Sequence, residues 1–120
     1  MGTLLAATTD PLTARKRWIA NQVHFKGVLV LDNGAVLKLR SRGSSLLSVG
    51  VKSVEGDFLR GDIVKCVDDD GALVAQGVIN YSSDDARTIK GMVSERFVDI
   101  LGYLGEEELV HRDNLIVAPV

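Results

Sequence analysis

The stretch GSSLLSVGVKSVEGDFLRGDIVKCVDDDGALVAQGVINYSS, residues 43–83, decides the fold. Its β-prone apolar runs at 51–56, 62–68 and 73–81 read as three strands separated by Gly-Asp and Asp-Gly punctuation. Asp69-Asp70-Gly71 is the tip of a hairpin, because a tight turn there needs the positive φ that glycine adopts at no steric cost. Just upstream, Val28, Leu29, Val30 and Leu31 make a strand over 26–31. Asp32 then caps a helix running to about Arg42, with Ala35, Val36 and Leu39 as its buried stripe and Gly43 closing it in the left-handed conformation. Downstream, Ser82 with Asp85 three residues later predicts a helix start, and that helix ends at Lys90-Gly91. A further helix begins near Ser94, with Phe97, Val98, Leu101 and Leu104 at helical spacing. Another helix is expected after Gly105, and a last strand at 115–117. Residues 15–20, RKRWIA, are expected to form one helical turn that plants Trp18, the single tryptophan, on the core. The chain is thus mainly β with short helices.

Composition sets the bounds. A chain of 120 residues makes one domain able to bury a core without disulfides or metal. A hydrophobic fraction of 46% excludes disorder, and 12 glycines against 2 prolines favour tight turns. The aromatics are Trp18, Phe25, Phe58, Phe97, Tyr81 and Tyr103, so the core is aliphatic. No apolar run approaches the ~18 residues of a membrane span. Near the N-terminus the basic cluster follows the apolar residues, the reverse of a secretory leader. The one cysteine, Cys66, has no partner for a disulfide and fits a reducing cytoplasm. Residues 1–66 carry ten Lys/Arg against five Asp/Glu, and residues 67–120 four against eleven. This asymmetry reads either as a face suited to a polyanion or as a sequence division that interleaved strands erase.

Several motifs end in structural readings. Aligning Gly71 with the obligatory glycine of a calcium loop puts Cys66 and Gly77 where the first and last carboxylate ligands belong, so Asp68-Asp69-Asp70 is a solvated turn. His111-Arg112-Asp113 opens like a protein-kinase catalytic loop, but the residue that should be a metal-binding Asn is Ala118. It reads as local structure: Asp113 or Asn114 bonds backbone ahead of the last strand, and Arg112 pairs with a carboxylate. Gly102-Tyr103-Leu104-Gly105 matches a backbone-clamping GxxG loop, yet Glu106, Glu107 and Glu108 follow it and would repel a phosphate by about 1 kcal/mol each. It reads as a helix cap and turn. His24, His111 and Cys66 lack metal-ligand spacing, and no phosphate loop or marked nucleophile is present. Cys66 reads as a small core residue.

Run 43–83, with RKRWIA and the run LGYLGEEELVHRDNLIV at 101–117, resembles the PUA domain and, more narrowly, the C-terminal part of the bacterial glutamate 5-kinase family; the resemblance covers about residues 14–118. It implies a PUA-type pseudo-barrel over residues 25–120, with residues 1–24 as a linker from a kinase domain that is not in this chain. Gly2-Thr3-Leu4 is similar to the end of that kinase domain. For the parent the resemblance implies transfer of the ATP γ-phosphate to the γ-carboxylate of glutamate with magnesium, the first step of proline biosynthesis, with proline feedback, in a cytoplasmic homo-oligomer. For this chain it implies no catalytic, cofactor or metal residues and no membrane. Two roles follow: a regulatory module whose partner is the kinase domain of the same polypeptide, or a free-standing module contacting structured RNA. In RNA-binding PUA domains the helix after the first strand, the next strand and the final strand form the RNA surface. The resemblance therefore implies Arg40, Arg42, Gly43, Ser44, Ser45 and Lys52 as RNA contacts. The alternative for the basic residues is stabilisation of the helix dipole, about 0.3–1 kcal/mol each.

Overall fold

A computed structural model describes residues 11–103 and 105–118. Met1–Asp10, which hold the Gly2-Thr3-Leu4 run and the first part of the expected linker, and Leu104 of the expected helical stripe lie outside the described residues. The elements are α1 (Pro11–Ala20), β1 (Gly27–Leu31), α2 (Asn33–Arg42), β2 (Leu46–Leu47), β3 (Val51–Gly56), β4 (Ile63–Val67), β5 (Leu73–Val78), α3 (Ser83–Ile89), α4 (Phe97–Leu101), β6 (Glu108–Val110) and β7 (Leu115–Val117). Single 3-10 turns occupy Ser48–Gly50, Ser94–Arg96 and Arg112–Asn114.

Five strands form one mixed sheet in the order β3-β1-β4-β5-β7, and β2 with β6 forms a separate two-stranded ribbon. β1 runs parallel to β4, with Leu29 opposite Cys66, while every other pair is antiparallel. The ribbon, α2, α3 and α4 cover the sheet around one core in which Leu29, Leu31, Val64, Cys66, Val74, Ile79, Ile89, Phe97 and Leu109 are fully enclosed. This is the expected mainly-β pseudo-barrel with short helices.

Local chemistry explains the joints. The Asp32 carboxylate accepts the Ala35 N–H at 2.8 Å, satisfying one of the orphan donors of the first turn of α2. Gly43 ends α2 at φ 61°, and its N–H donates to the Leu39 carbonyl. Ser82 caps α3 through the Asp85 N–H, as its sequence signature predicts. At Gly50, a Cβ would lie 2.6 Å from the Ala35 Cβ, so the helix approaches the 48–50 turn only because no side chain intervenes.

Three expectations are corrected. The segment after Gly105 is not helical: Glu108–Val110 is β6, paired with β2. Its glutamates favour helix, but Leu109 and Val110 are both buried, and Asn80 donates to the carbonyls of Leu109 and Glu108 at 2.8 and 3.1 Å. Tertiary pairing overrides propensity here. The β5 strand ends at Val78 rather than Tyr81; Tyr81 instead packs edge-on against Phe97, with ring centroids 5.9 Å apart, and donates its hydroxyl to the Glu106 carbonyl. Finally, Trp18 is not the anchor.

The basic N-terminal segment is a ten-residue helix, opened by Pro11, whose missing N–H costs nothing at a helix start. It lies against β5, β7 and the Arg112–Asn114 turn. Ile19 is fully buried, whereas Trp18 is 52% exposed. Helical periodicity is the reason: adjacent residues point about 100° apart, so only one of the pair faces the sheet. The side-chain amide of Gln76, in the middle of β5, donates to the Ile19 carbonyl at 2.6 Å and more weakly to the Gln22 carbonyl at 3.4 Å. Arg15 donates to the Asn114 side-chain oxygen at 2.8 Å. Ile19→Ala should therefore lower stability by about 2–5 kcal/mol, whereas Trp18→Ala in the 120-residue chain should cost less than about 1 kcal/mol. Chemical denaturation of both variants checks the ranking.

Burial pushes the Cys66 thiol up to about 12 from 9.0. The folded state stabilises the neutral thiol, so this contribution is whole below pH 9 and is lost as the pH climbs toward 12. A thiol reagent at pH 8 should label Cys66 only at the rate of unfolding, and mass spectrometry with and without denaturant reads the difference.

Candidate nucleic-acid interface

Between α2 and the segment 44–50 lies an open groove of about 350 Å3. One wall is α2, presenting Ala35, Lys38, Leu39 and Arg42; the other is Ser44, Ser45, Leu46, Leu47, Val49 and Gly50, with Asp32 and Gly34 at one end. Lys38 and Arg42 stand one helical turn apart on the same face, because i and i+4 coincide on a helix. Among the described residues neither has an ion-pair partner. Ser45 Oγ accepts the Arg112 backbone N–H at 2.8 Å, which attaches a third, exposed cation to the serine wall from 67 residues away. The groove thus has a cationic end near Arg42 and a carboxylate, Asp32, at the other end, already engaged as a helix cap.

Of the six expected contacts, Arg42, Ser44 and Ser45 line this groove. Arg40 is exposed on α2 outside its lining, and Gly43 serves as the helix cap. Lys52 is tied to Asp69, 2.5 Å away, on the β4–β5 hairpin tip. Two cations were not among the expected contacts. Lys38 was discoverable from its i+4 spacing to Arg42. Arg112 was expected to pair with a carboxylate, and among the described residues its guanidinium has none; the local bond is made by His111 Nδ1, which accepts the Asp113 N–H at 3.1 Å. Nothing in the sequence near Arg112 indicates its neighbour Ser45.

A second cleft of similar size lies between Leu59, Arg60, Tyr81, Asp85, Tyr103 and Gly105. Tyr103 donates to Asp85 at 2.5 Å, and this bond, followed by burial, raises its hydroxyl to about 12. Burial, then the Glu106 carboxylate, raises Tyr81 as well. Arg60 pairs with Glu106 at 3.2 Å. Gly102 caps α4 at φ 81°, so the GxxG match is the cap and turn that its acidic sequel implies. The Lys52–Asp69 and Arg60–Glu106 pairs both join the basic sequence half to the acidic half, so the charge division along the sequence does not become two faces.

The PUA domain model matches residues 27–101. The chain belongs to the PUA domain family. Its curated relatives include the glutamate 5-kinase of Chromohalobacter salexigens, 55% identical over 117 residues, which is 98% of this chain and 31% of that protein. The glutamate 5-kinase of Thioalkalivibrio sulfidiphilus is 54% identical over the same shares. The chain therefore spans about a third of the length of the curated relatives it matches. Among solved structures, a PUA domain from Aeropyrum pernix K1, crystallised as a tartrate complex, aligns with 72% of this chain and 41% of its own, with a TM-score of 0.52 and 26% identity. The family expected from run 43–83 and its two companions is the one found.

Proposed function

We propose that this chain is the C-terminal PUA module of a glutamate 5-kinase, and that catalysis resides in the part of the parent polypeptide that precedes it. The carrying observation is identity above half across 98% of the chain, set against coverage of under a third of each relative. In this reading the parent moves the ATP γ-phosphate to the γ-carboxylate of glutamate with magnesium, in the first step of proline biosynthesis. The module supplies no part of that chemistry; it is a regulatory and structural unit that partners the kinase domain of its own polypeptide, joined to it through residues 1–24. The fold supports this division of labour, because fold and catalysis are separable and the groove offers anion contacts without a nucleophile beside a base. The purified 120-residue chain should unfold cooperatively and release no ADP in the presence of glutamate, ATP and magnesium, while the full-length gene product does. Glutamate-dependent ADP release by the chain alone, above a no-protein control, would overturn the reading.

A second reading, binding of structured RNA, is favoured by one observation: Lys38 and Arg42, without ion-pair partners among the described residues, stand on one groove wall, and the Arg112 backbone is bonded to Ser45 of the other. Three phosphate contacts imply a log–log salt slope of about −2, from ~0.7 per contact on a single strand. Arg42→Ala should then reduce the slope by about 0.7 without altering sequence preference. Lys52→Ala should leave it unchanged, since Asp69 already occupies that ammonium. Titration of structured RNA at several salt concentrations decides; absence of saturable binding at low salt ends this reading.

A further inference from the structure

The helix α1 buries one apolar side chain against the barrel and leaves its others, Pro11, Leu12, Ala14 and Trp18 among them, exposed. Ile19 faces the sheet and is fully buried. On the outer side Pro11, Ala14 and Trp18 recur at i, i+3 and i+7, and all three are exposed. That spacing is the anchor pattern of a helix laid into a partner's groove. Trp18 leaves about half of a large apolar ring in water, and tryptophan is the residue most often found as the dominant anchor of an interface. Arg17 flanks the stripe, exposed and without an ion-pair partner among the described residues.

The helix is also held still. Burial of Ile19, the Gln76 amide on the Ile19 carbonyl and the Arg15–Asn114 bond fix its position on the barrel before any partner arrives. An anchor presented in a fixed geometry loses little conformational entropy on docking.

We propose that the Pro11–Ala14–Trp18 stripe docks on the portion of the parent polypeptide that precedes this chain, in an apolar depression with an acidic rim facing Arg17. This rests on the glutamate 5-kinase reading. The occupant follows from the proposed reading: the relatives carry about two thirds of their length outside the matched region, and in that reading the kinase domain is on the same polypeptide as α1. A partner on the same polypeptide meets the stripe at high effective concentration, so a modest contact area suffices. In this arrangement α1 is a shared element, packed on the barrel through one side and on the preceding domain through the other.

Limited trypsin digestion tests it, because cleavage after Arg15, Lys16 or Arg17 requires α1 to open locally. In the full-length parent, Trp18→Ala should speed cleavage there at least ~10-fold, the effect of losing about 1.4 kcal/mol of protection. Trp18→Phe should restore most of the protection. In the 120-residue chain the same alanine variant should change the rate by less than about twofold, since Trp18 there is about half exposed. Equal cleavage of wild type and Trp18→Ala in a full-length product that turns over glutamate overturns the docking and leaves the family reading intact. A gene that encodes nothing upstream overturns both. Sedimentation of the isolated chain as a dimer that Trp18→Ala dissolves makes a second copy the occupant and also overturns the proposal.

Discussion

The parallel pairing of β1 with β4 is the constraint on which the rest of the molecule depends. Parallel neighbours cannot be joined by a tight turn, so the chain must cross over between them. Here the crossing contains α2, the Leu46–Leu47 ribbon strand and β3, which returns to pair with the free side of β1. The groove is therefore a by-product of topology: its two walls are successive pieces of the crossing, kept apart by Gly43 and brought together by the Ala35–Gly50 approach. Leu29, Val64 and Cys66 share the core face of these two central strands and are fully buried, whereas Val28, Val30 and Lys65 on the other face are only half-buried.

Much of this was legible from the sequence, for identifiable reasons. Asp32, Gly43, Ser82 and Gly71 act within four residues of themselves, so their effects appear wherever they occur. The β6 strand was not legible, because what makes it a strand is Leu46, more than sixty residues away, and its own glutamates argue for helix. Size points to Trp18, the largest apolar side chain of its segment, as the anchor, but the register of α1 on the sheet assigns that role to its neighbour Ile19. At the groove, Arg42, Ser44 and Ser45 are neighbours in sequence and line the same walls, whereas the Lys52–Asp69 and Ser45–Arg112 contacts arise only from strand order.

The electrostatics reinforce the separation of surfaces. Of the three carboxylates after the GxxG match, Glu106 pairs with Arg60 at the second cleft, where Tyr103 is separately bound to Asp85. The α2 groove, by contrast, keeps Lys38 and Arg42 free of ion-pair partners among the described residues. Side chains already in pairs carry less capacity for an anion, because a new ligand must displace the existing partner. The difference between the clefts is thus one of prior commitment, and it is set by which strands lie next to each other.

Gln76 has a meaning for how this domain can be cut. It is a polar residue in the middle of an apolar strand, LVAQGV, and its amide is satisfied by carbonyls at the C-terminal end of α1. The recognisable family region begins only at Gly27. A fragment cut there would carry every strand of the barrel yet expose the socket of Ile19 and leave a strand-centre amide without its acceptors, on the very strand that β7 must pair. The unit that folds is therefore longer than the unit that is recognised, and its true edge is written in a glutamine more than fifty residues downstream of the helix it holds.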